Sequence, residues 1–411
     1  MSRFFSCKLI FFCSLGLSLA STATADDWNQ LRGPSRNGVS DEKGWTDKWP
    51  QSGPKVLWKA NVGLGFSGIS VAGGRAVTMG NADNNDTVFC FDALTGKEAW
   101  KHTYPSPLGD KYFDGGTTGT PTIEKDRVYT LNRWGDVFCF ELGTGKIVWT
   151  RNVQTDTSAP LPDWGFGGSP AIYENLLVLN VGESGMALEK ATGKTVWQSP
   201  KKPAGYTTPL IVNRAGRKEL IIGSGQGFLG VEPATGKEIW RMKWITQYGV
   251  NAADPIVDND LIFISSGYGK GGALFRPTSE PEPEFIWKTK ILRTQLNGAI
   301  LYEKHLYGVD GDTTDTATLR CLELSTGKEK WADSGHKIRS FIIADGKMIL
   351  VSEPGELFVA PVSSESFKPT VATQILGGKT WTSPTLANGI VYLRNARGDI
   401  AGVDLRPTSA K

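Results

Sequence analysis

The sequence predicts an all-β chain folded as an eight-bladed β-propeller of four-stranded sheets, and three observations carry that prediction. A Thr-Gly-Lys-x-x-Trp stretch recurs five times, ending at Trp100, Trp149, Trp197, Trp240 and Trp331. With Trp58 and Trp287, which also stand where an outer strand would end, the indoles recur at spacings of 42 to 49 residues. The chain ends are complementary: residues 381–405 supply three strands without an outer partner, and Val56-Leu57-Trp58 is an outer strand without its inner three. Pairing them closes the array into a ring and leaves no strand edge exposed, whereas an open solenoid would need capping units at both ends.

Each repeat can be read position by position. Ten residues before the Trp comes something small: Cys90, Cys139, Ala187, Gly230 or Cys321. Two residues later stands a carboxylate, Asp92, Glu141, Glu189, Glu232 or Glu323, placed to accept from the N–H groups of the following turn. The Gly of the turn suits a position that needs positive φ. The Trp offers more flat surface than one hairpin can bury, so Trp58, Trp100, Trp149, Trp197, Trp240, Trp287 and Trp331 are expected to pack on neighbouring sheets. An eighth, degraded unit keeps Ala360 as its small residue and has Phe367 near the Trp position. Innermost strands begin at Ser/Thr/Asp-Pro steps, as in GTPTI, GSPAI, TTPLI, ADPIV and TSPTL.

Composition agrees with this reading. The 411 residues include 49 Gly and 14 Trp, suited to many short strands and turns, and a formal charge of +3 leaves no nucleic-acid footprint. Residues 1–25 read as an export signal: Arg3 and Lys8, the apolar run LIFFCSLGLSLA, then Ala23-Thr24-Ala25 as a cleavage site. No second apolar run of spanning length follows, so a soluble mature protein in the periplasm or outside the cell is expected. Cys90, Cys139 and Cys321 share one repeat position in three units and are expected as buried free thiols. Residues 26–54, with Trp28, Trp45 and Trp49, are expected to lie extended across the body; 55–405 form the propeller and 406–411 a tail.

The small-x-D/E-x-x-T-G-K-x-x-W unit resembles the repeat of the pyrroloquinoline quinone (PQQ) propeller superfamily, over residues 55 to about 405. That superfamily includes quinoprotein dehydrogenases and cofactor-free members such as the propeller lipoprotein of the outer-membrane β-barrel assembly machinery. The opening Trp28…Arg32-Gly33-Pro34…Gly38-Val39 is similar to the start of secreted PQQ-like repeat proteins of planctomycete bacteria. For a dehydrogenase, the resemblance implies a calcium-bound quinone held by an amide, a Glu and a catalytic Asp. Here Tyr268 stands where the amide is expected, residues 288–298 carry no carboxylate, and Glu183 is a poor match for the ligand Glu. Adjacent cysteines and a CxxCH haem site are absent as well.

The remaining chemistry is sparse. His102, His305 and His336 are scattered over separate units; Asp310 to Asp315 and Asn81 to Asp86 read as polar turns. Binding is expected on loops instead. The connections 103–118 and 152–165 carry Tyr112, Phe113 and Trp164, and the turn bearing Trp134 shares their face. Asn251, Asn297, Arg339 and Trp381 stand near the starts of innermost strands and are expected along the central channel. We therefore expect a secreted, non-enzymatic scaffold that binds another envelope or secreted protein, with no cofactor. The alternatives are a PQQ- and calcium-dependent oxidoreductase and a carbohydrate- or polymer-binding propeller.

Overall fold

Eight sheets stand side by side around a central channel in the computed structural model, which describes residues 27–111, 113–199, 201–278, 282–312 and 317–407. Sheets 1 to 7 span 70–105, 122–152, 171–198, 210–243, 256–289, 300–333 and 338–374, each running outward from a channel-lining inner strand. Sheet 8 consists of residues 385–404 completed by Lys55–Asn61 as its outer strand. The closing register pairs Lys55 with Asp404, Trp58 with Gly402 and Asn61 with Asp399. The export signal expected at 1–25 lies outside the described residues. Among those described, no helix is long and apolar enough to cross a membrane.

The repeat works as a wedge between sheets. Its small residue sits directly across the strand pair from the Trp, as in Cys90 with Trp100 and Ala187 with Trp197, because the indole lies over that position. A Cβ on Gly230 would stand 2.1 Å from Trp240 Nε1. The three cysteines there are free, and burial pushes Cys90 up to about 12 and Cys139 and Cys321 to about 11, so they act as small apolar fillers.

Most of these indoles then donate to the next sheet. Trp100 donates to the Leu142 carbonyl at 2.8 Å, Trp149 to Lys190 at 2.9 Å, Trp197 to Pro233 at 3.0 Å, and Trp287 to Leu324 at 2.8 Å. Trp58 crosses the closing junction to Ala93 at 3.0 Å. The turn glycines Gly96, Gly145, Gly193, Gly236 and Gly327 adopt positive φ, and a Cβ on any of them would strike the Trp of the preceding sheet. The repeat carboxylates divide by length: Asp92 accepts from both the Thr95 N–H and hydroxyl, whereas Glu141 and Glu232 take the threonine hydroxyl alone.

Two details differ from expectation. Phe367 is not in an outer strand; it lies in the turn before Val371–Gln374 and stacks on Trp331 at 5.9 Å. The connection after sheet 2 contains a short helix, Val153–Thr157, capped by the Asn152 side chain accepting from Thr155 N–H.

Candidate binding funnel

The innermost strands are only three residues long in most sheets, and the residues two positions before them join the sheets around the channel. Gly68 N–H donates to Thr120 Oγ1, Thr120 N–H to Ser169 Oγ, Ser169 N–H to Thr208 Oγ1, and Thr208 N–H to Asp254 Oδ1, at 2.8 to 3.0 Å. This is the role of the Ser/Thr/Asp-Pro steps: one side-chain oxygen per sheet satisfies the preceding sheet's backbone donor. Gly298 breaks the series in sheet 6. A Cβ there would meet the Arg32 guanidinium at 2.6 Å, so an arginine from outside the ring fills the space.

Arg32 belongs to the N-terminal strap, which closes one end of the channel. Trp28 bridges Val71 in sheet 1, and the Asn29 carbonyl accepts from Ile123 N–H in sheet 2. Arg36 donates to the carbonyls of Pro170 and Pro209, and Arg32 to those of Gly298 and Ala299. Val39–Ser40 then adds a parallel edge to Ile338–Ala344 of sheet 7, and Glu42 accepts from the N–H groups of Asn388 and Gly389 in sheet 8.

What remains is a blind funnel of about 430 Å³, within the usual range for ligand sites. The strap and Asp254 form its floor; Phe66, Phe113, Trp164, Tyr206, Tyr268 and Trp381 wall it. Burial raises the Asp254 carboxyl above its ordinary range, opposed by Arg32, the Thr208 N–H and Arg36. Burial likewise lowers Arg32, and takes Arg36 down to about 10, with Asp254 opposing both.

Of the residues expected to bind, Phe113, Trp164, Asn297 and Trp381 line the funnel. Asn297 is committed to structure, donating to the Arg339 and Trp381 carbonyls and accepting from Ser383 Oγ. Trp381 stacks on Phe66 at 5.5 Å, with Lys379 Nζ 4.6 Å over its ring. Three expected contacts stand outside the wall. Trp134 donates to the Pro107 carbonyl and ties down the 106–118 connection; Asn251 is fully buried, donating to Ser224 and Trp244 carbonyls and accepting from Ser266; Arg339 lies behind Trp381, paired with Glu353. Tyr112 lies outside the described residues.

Sequence reading missed Phe66, Tyr206, Tyr268, Lys379, Gln295 and the strap's Arg32 as funnel residues. Asp254 alone carried a visible mark, as the one acid in the Ser/Thr-Pro series.

A calcium-bound quinone does not fit this donor set. Among the described residues, one carboxylate lines the funnel, with two guanidinium groups beside it, and the Asn amide there is already engaged. Glu183 is held by Arg241 and Lys202 and does not line the funnel. Tyr268 faces Tyr248, with ring centroids 5.6 Å apart. Among the described residues, no three His, Cys, Asp or Glu side chains gather as a metal site. Asp310 is taken by Arg293 and Arg320, and Asp86 by Asn81, Ser106 and Asn132.

Comparison with known proteins agrees with this architecture. BamB from Moraxella catarrhalis superposes with a TM-score of 0.64 at 13% identity, covering 85% of this chain and 99% of that one. The quinohemoprotein alcohol dehydrogenase from Comamonas testosteroni gives 0.66 at 12% identity, covering 94% and 81%. A europium-containing methanol dehydrogenase gives 0.64 at 12% identity, covering 92% and 90%. At these identities the likeness is one of fold, shared by an assembly factor and by enzymes. No curated protein matches the sequence. The family model for outer membrane protein assembly factor BamB matches residues 84–333, more than half of the length, and the chain therefore belongs to that family of PQQ-like repeat propellers.

Proposed function

We propose that this is an exported, non-enzymatic propeller of the cell envelope that captures a partner protein at the open mouth of its funnel. The observation that carries the reading is the aromatic rim. Trp164 contacts Tyr206 and Tyr248 edge-on at 6.1 Å, Tyr248 continues to Tyr268, and Tyr248 and Leu296 stand 60% and 40% exposed. Tyrosines and tryptophans on a rigid ring give large contact area at small entropic cost, which is how interface anchors work. The rim is built from connections of several sheets, so its shape is held by the ring.

The test is site-specific photocrosslinking in the native host, with the probe at Tyr248 or Leu296 and a control probe at Leu94, exposed on the hairpin of sheet 1. The reading expects one discrete partner band from both rim positions and none from Leu94; equal labelling everywhere would sink it. Fractionation and N-terminal sequencing check export, with cleavage after Ala25 as the expected result. Adding PQQ with calcium is expected to leave the melting temperature unchanged, since a ligand of the folded state would raise it.

A further inference from the structure

The mouth of the funnel is uneven in charge, and the unevenness centres on one turn. Residues 267–270 join the second and third strands of sheet 5, Leu261–Ser266 and Gly271–Arg276. Lys270 Nζ stands 4.5 Å over the ring of Trp244, just past the outer strand of sheet 4. A Cβ on Gly271 would lie 3.0 Å from Lys290 Cα, so Lys270 and Lys290 are neighbours, and Lys288 is two residues back in the outer strand Glu284–Thr289. Burial lowers the Lys270 ammonium, and the charges of Lys290 and Lys288 lower it further, with no carboxylate opposing them. Among the described residues, none of the three forms an ion pair. Asp312 touches the turn, accepting from Tyr268 N–H, but is itself buried.

Apolar side chains stand beside this charge. Ile245, Tyr248 and Leu296 are 46%, 60% and 40% exposed, and all three converge on the turn. Ile245 follows Trp244, Tyr248 packs edge-on against Tyr268 at 5.6 Å, and Leu296 follows Gln295, which packs against Gly267. Tyr248 and Tyr268 hold φ of 63° and 50°, a left-handed backbone that bulky residues seldom adopt and that gathers where ligands are held.

Like charges held together repel until something of opposite sign meets them. Lysines around exposed aromatic and aliphatic side chains suit a segment that carries carboxylates on either side of an apolar residue. A flat anionic membrane suits them less. Asp110 and Asp163 stand exposed on the connections after sheets 1 and 2, at the same end of the ring, so a bilayer laid across the mouth would press on acids as well as lysines. One extended segment can follow sheet 5 alone. We propose that the sector of the mouth formed by Lys270, Lys288 and Lys290 with Ile245, Tyr248 and Leu296 docks an acidic segment of a partner protein, anchored by an apolar side chain. The inference rests on the mouth being the capture face, and it specifies the chemistry of what is captured.

Panning a random linear peptide library against the purified full chain tests this, with the recovered peptides titrated by fluorescence anisotropy. The expected peptides carry several Asp or Glu around an apolar residue. Their binding weakens about tenfold in the triple variant Lys270→Gln, Lys288→Gln and Lys290→Gln, as loss of several exposed ion pairs together does, and about tenfold in Tyr248→Ala. Raising the ionic strength from about 0.01 M to about 1 M weakens it further. A control with Lys146→Gln, Lys194→Gln and Lys237→Gln removes as much charge from exposed hairpin turns of sheets 2 to 4 and leaves binding unchanged. Lys288 and Lys290 are exposed, so their double variant remains a sound test if Lys270→Gln disturbs Trp244. A library that yields no binder, or only uncharged or basic ones, overturns the proposal, as does equal binding to the triple variant and the control. Binding to phosphatidylglycerol vesicles that the triple variant loses, with no acidic peptide recovered, assigns the lysines to lipid and overturns it too. Mass spectrometry of the rim crosslink keeps the two readings apart. A partner joined through a basic or uncharged segment removes the acidic segment alone, whereas acidic peptides that bind in vitro without any crosslinked band in the host remove the native partner alone.

Discussion

The junction between sheets 3 and 4 and the junction between sheets 7 and 8 solve one packing problem by different means. At the first, Trp197 lies on Gly236 of the next hairpin and donates to the Pro233 carbonyl. At the second there is no tryptophan to lend, and the strap takes its place. Trp45 packs among residues of both sheets, Asp47 pairs with Lys347 of sheet 7, Thr46 N–H donates to Leu405, and Glu42 holds the Asn388-Gly389 turn of sheet 8. The junction of sheets 4 and 5 is a third variant. The turn after Arg276 has no Thr-Gly-Lys, and Trp240 instead donates to Glu219 of its own sheet, where Arg214 and Arg217 also bind. Wedge-shaped gaps between radial sheets need a large filler with a polar tip; which chain segment supplies it is free to vary.

That comparison can be broken most severely at the closing junction. Trp58→Ala empties the wedge between sheets 8 and 1 and is expected to cost about 3–5 kcal/mol in chemical denaturation; a loss below about 1 kcal/mol would mean the indole is dispensable there. At the variant junction, Glu219→Gln strands a buried Arg214 and is expected to cost about 3–5 kcal/mol. Glu219 is fully buried and Arg214 only 5% exposed, whereas Arg217 is half exposed and adds little.

The same carboxylate gives a pH test. Burial alone would raise Glu219, but hydrogen bonds from Arg214, Trp240 and Arg217 hold it below its ordinary value. A depressed folded value means its stabilisation is complete above the ordinary carboxylate range and is lost as pH falls through the folded value. Denaturation midpoints should therefore converge between the wild-type protein and Glu219→Gln as pH drops below about 4. A gap that persists at low pH would refute this role.

Smaller effects sharpen the contrast between strap and indole. Glu42→Ala strips the acceptor from two backbone N–H groups and is expected to cost about 1–3 kcal/mol. Trp197→Phe keeps most of the ring and loses one hydrogen bond, for about 1 kcal/mol. If the second substitution proved the costlier, the strap would be a passive cover.

Much of the ring was legible because the repeat is local. Asp92, Thr95, Gly96 and Trp100 interact within one hairpin or with the next, so their spacing alone marks sheet, turn and neighbour. Closure was legible for the same reason, since strands missing at one end were present at the other. The funnel was not. Phe66, Tyr206 and Tyr268 sit on loops with no common pattern, and they meet only because the ring brings successive connections to one face. Asn251 and Trp134 looked like binding groups and turned out to hold loops in place, because Asn and Trp at strand ends serve either purpose. The strap's aromatics hinted at contact with the body, but its arginines find their carbonyl acceptors on strands far along the chain.

One stretch of chain is both the stopper of the channel and the lead-in to the last sheet's rim. Synthesis delivers this stretch well before residues 399–404, and Trp58 has no partner strand until Gly402 has emerged. The earliest residues must therefore wait, unpaired, for the latest, and that long-range pairing sets the pace at which the circle locks. Removing residues 27–54 would leave the outer strand in place and turn a one-mouthed vessel into a tube open at both ends.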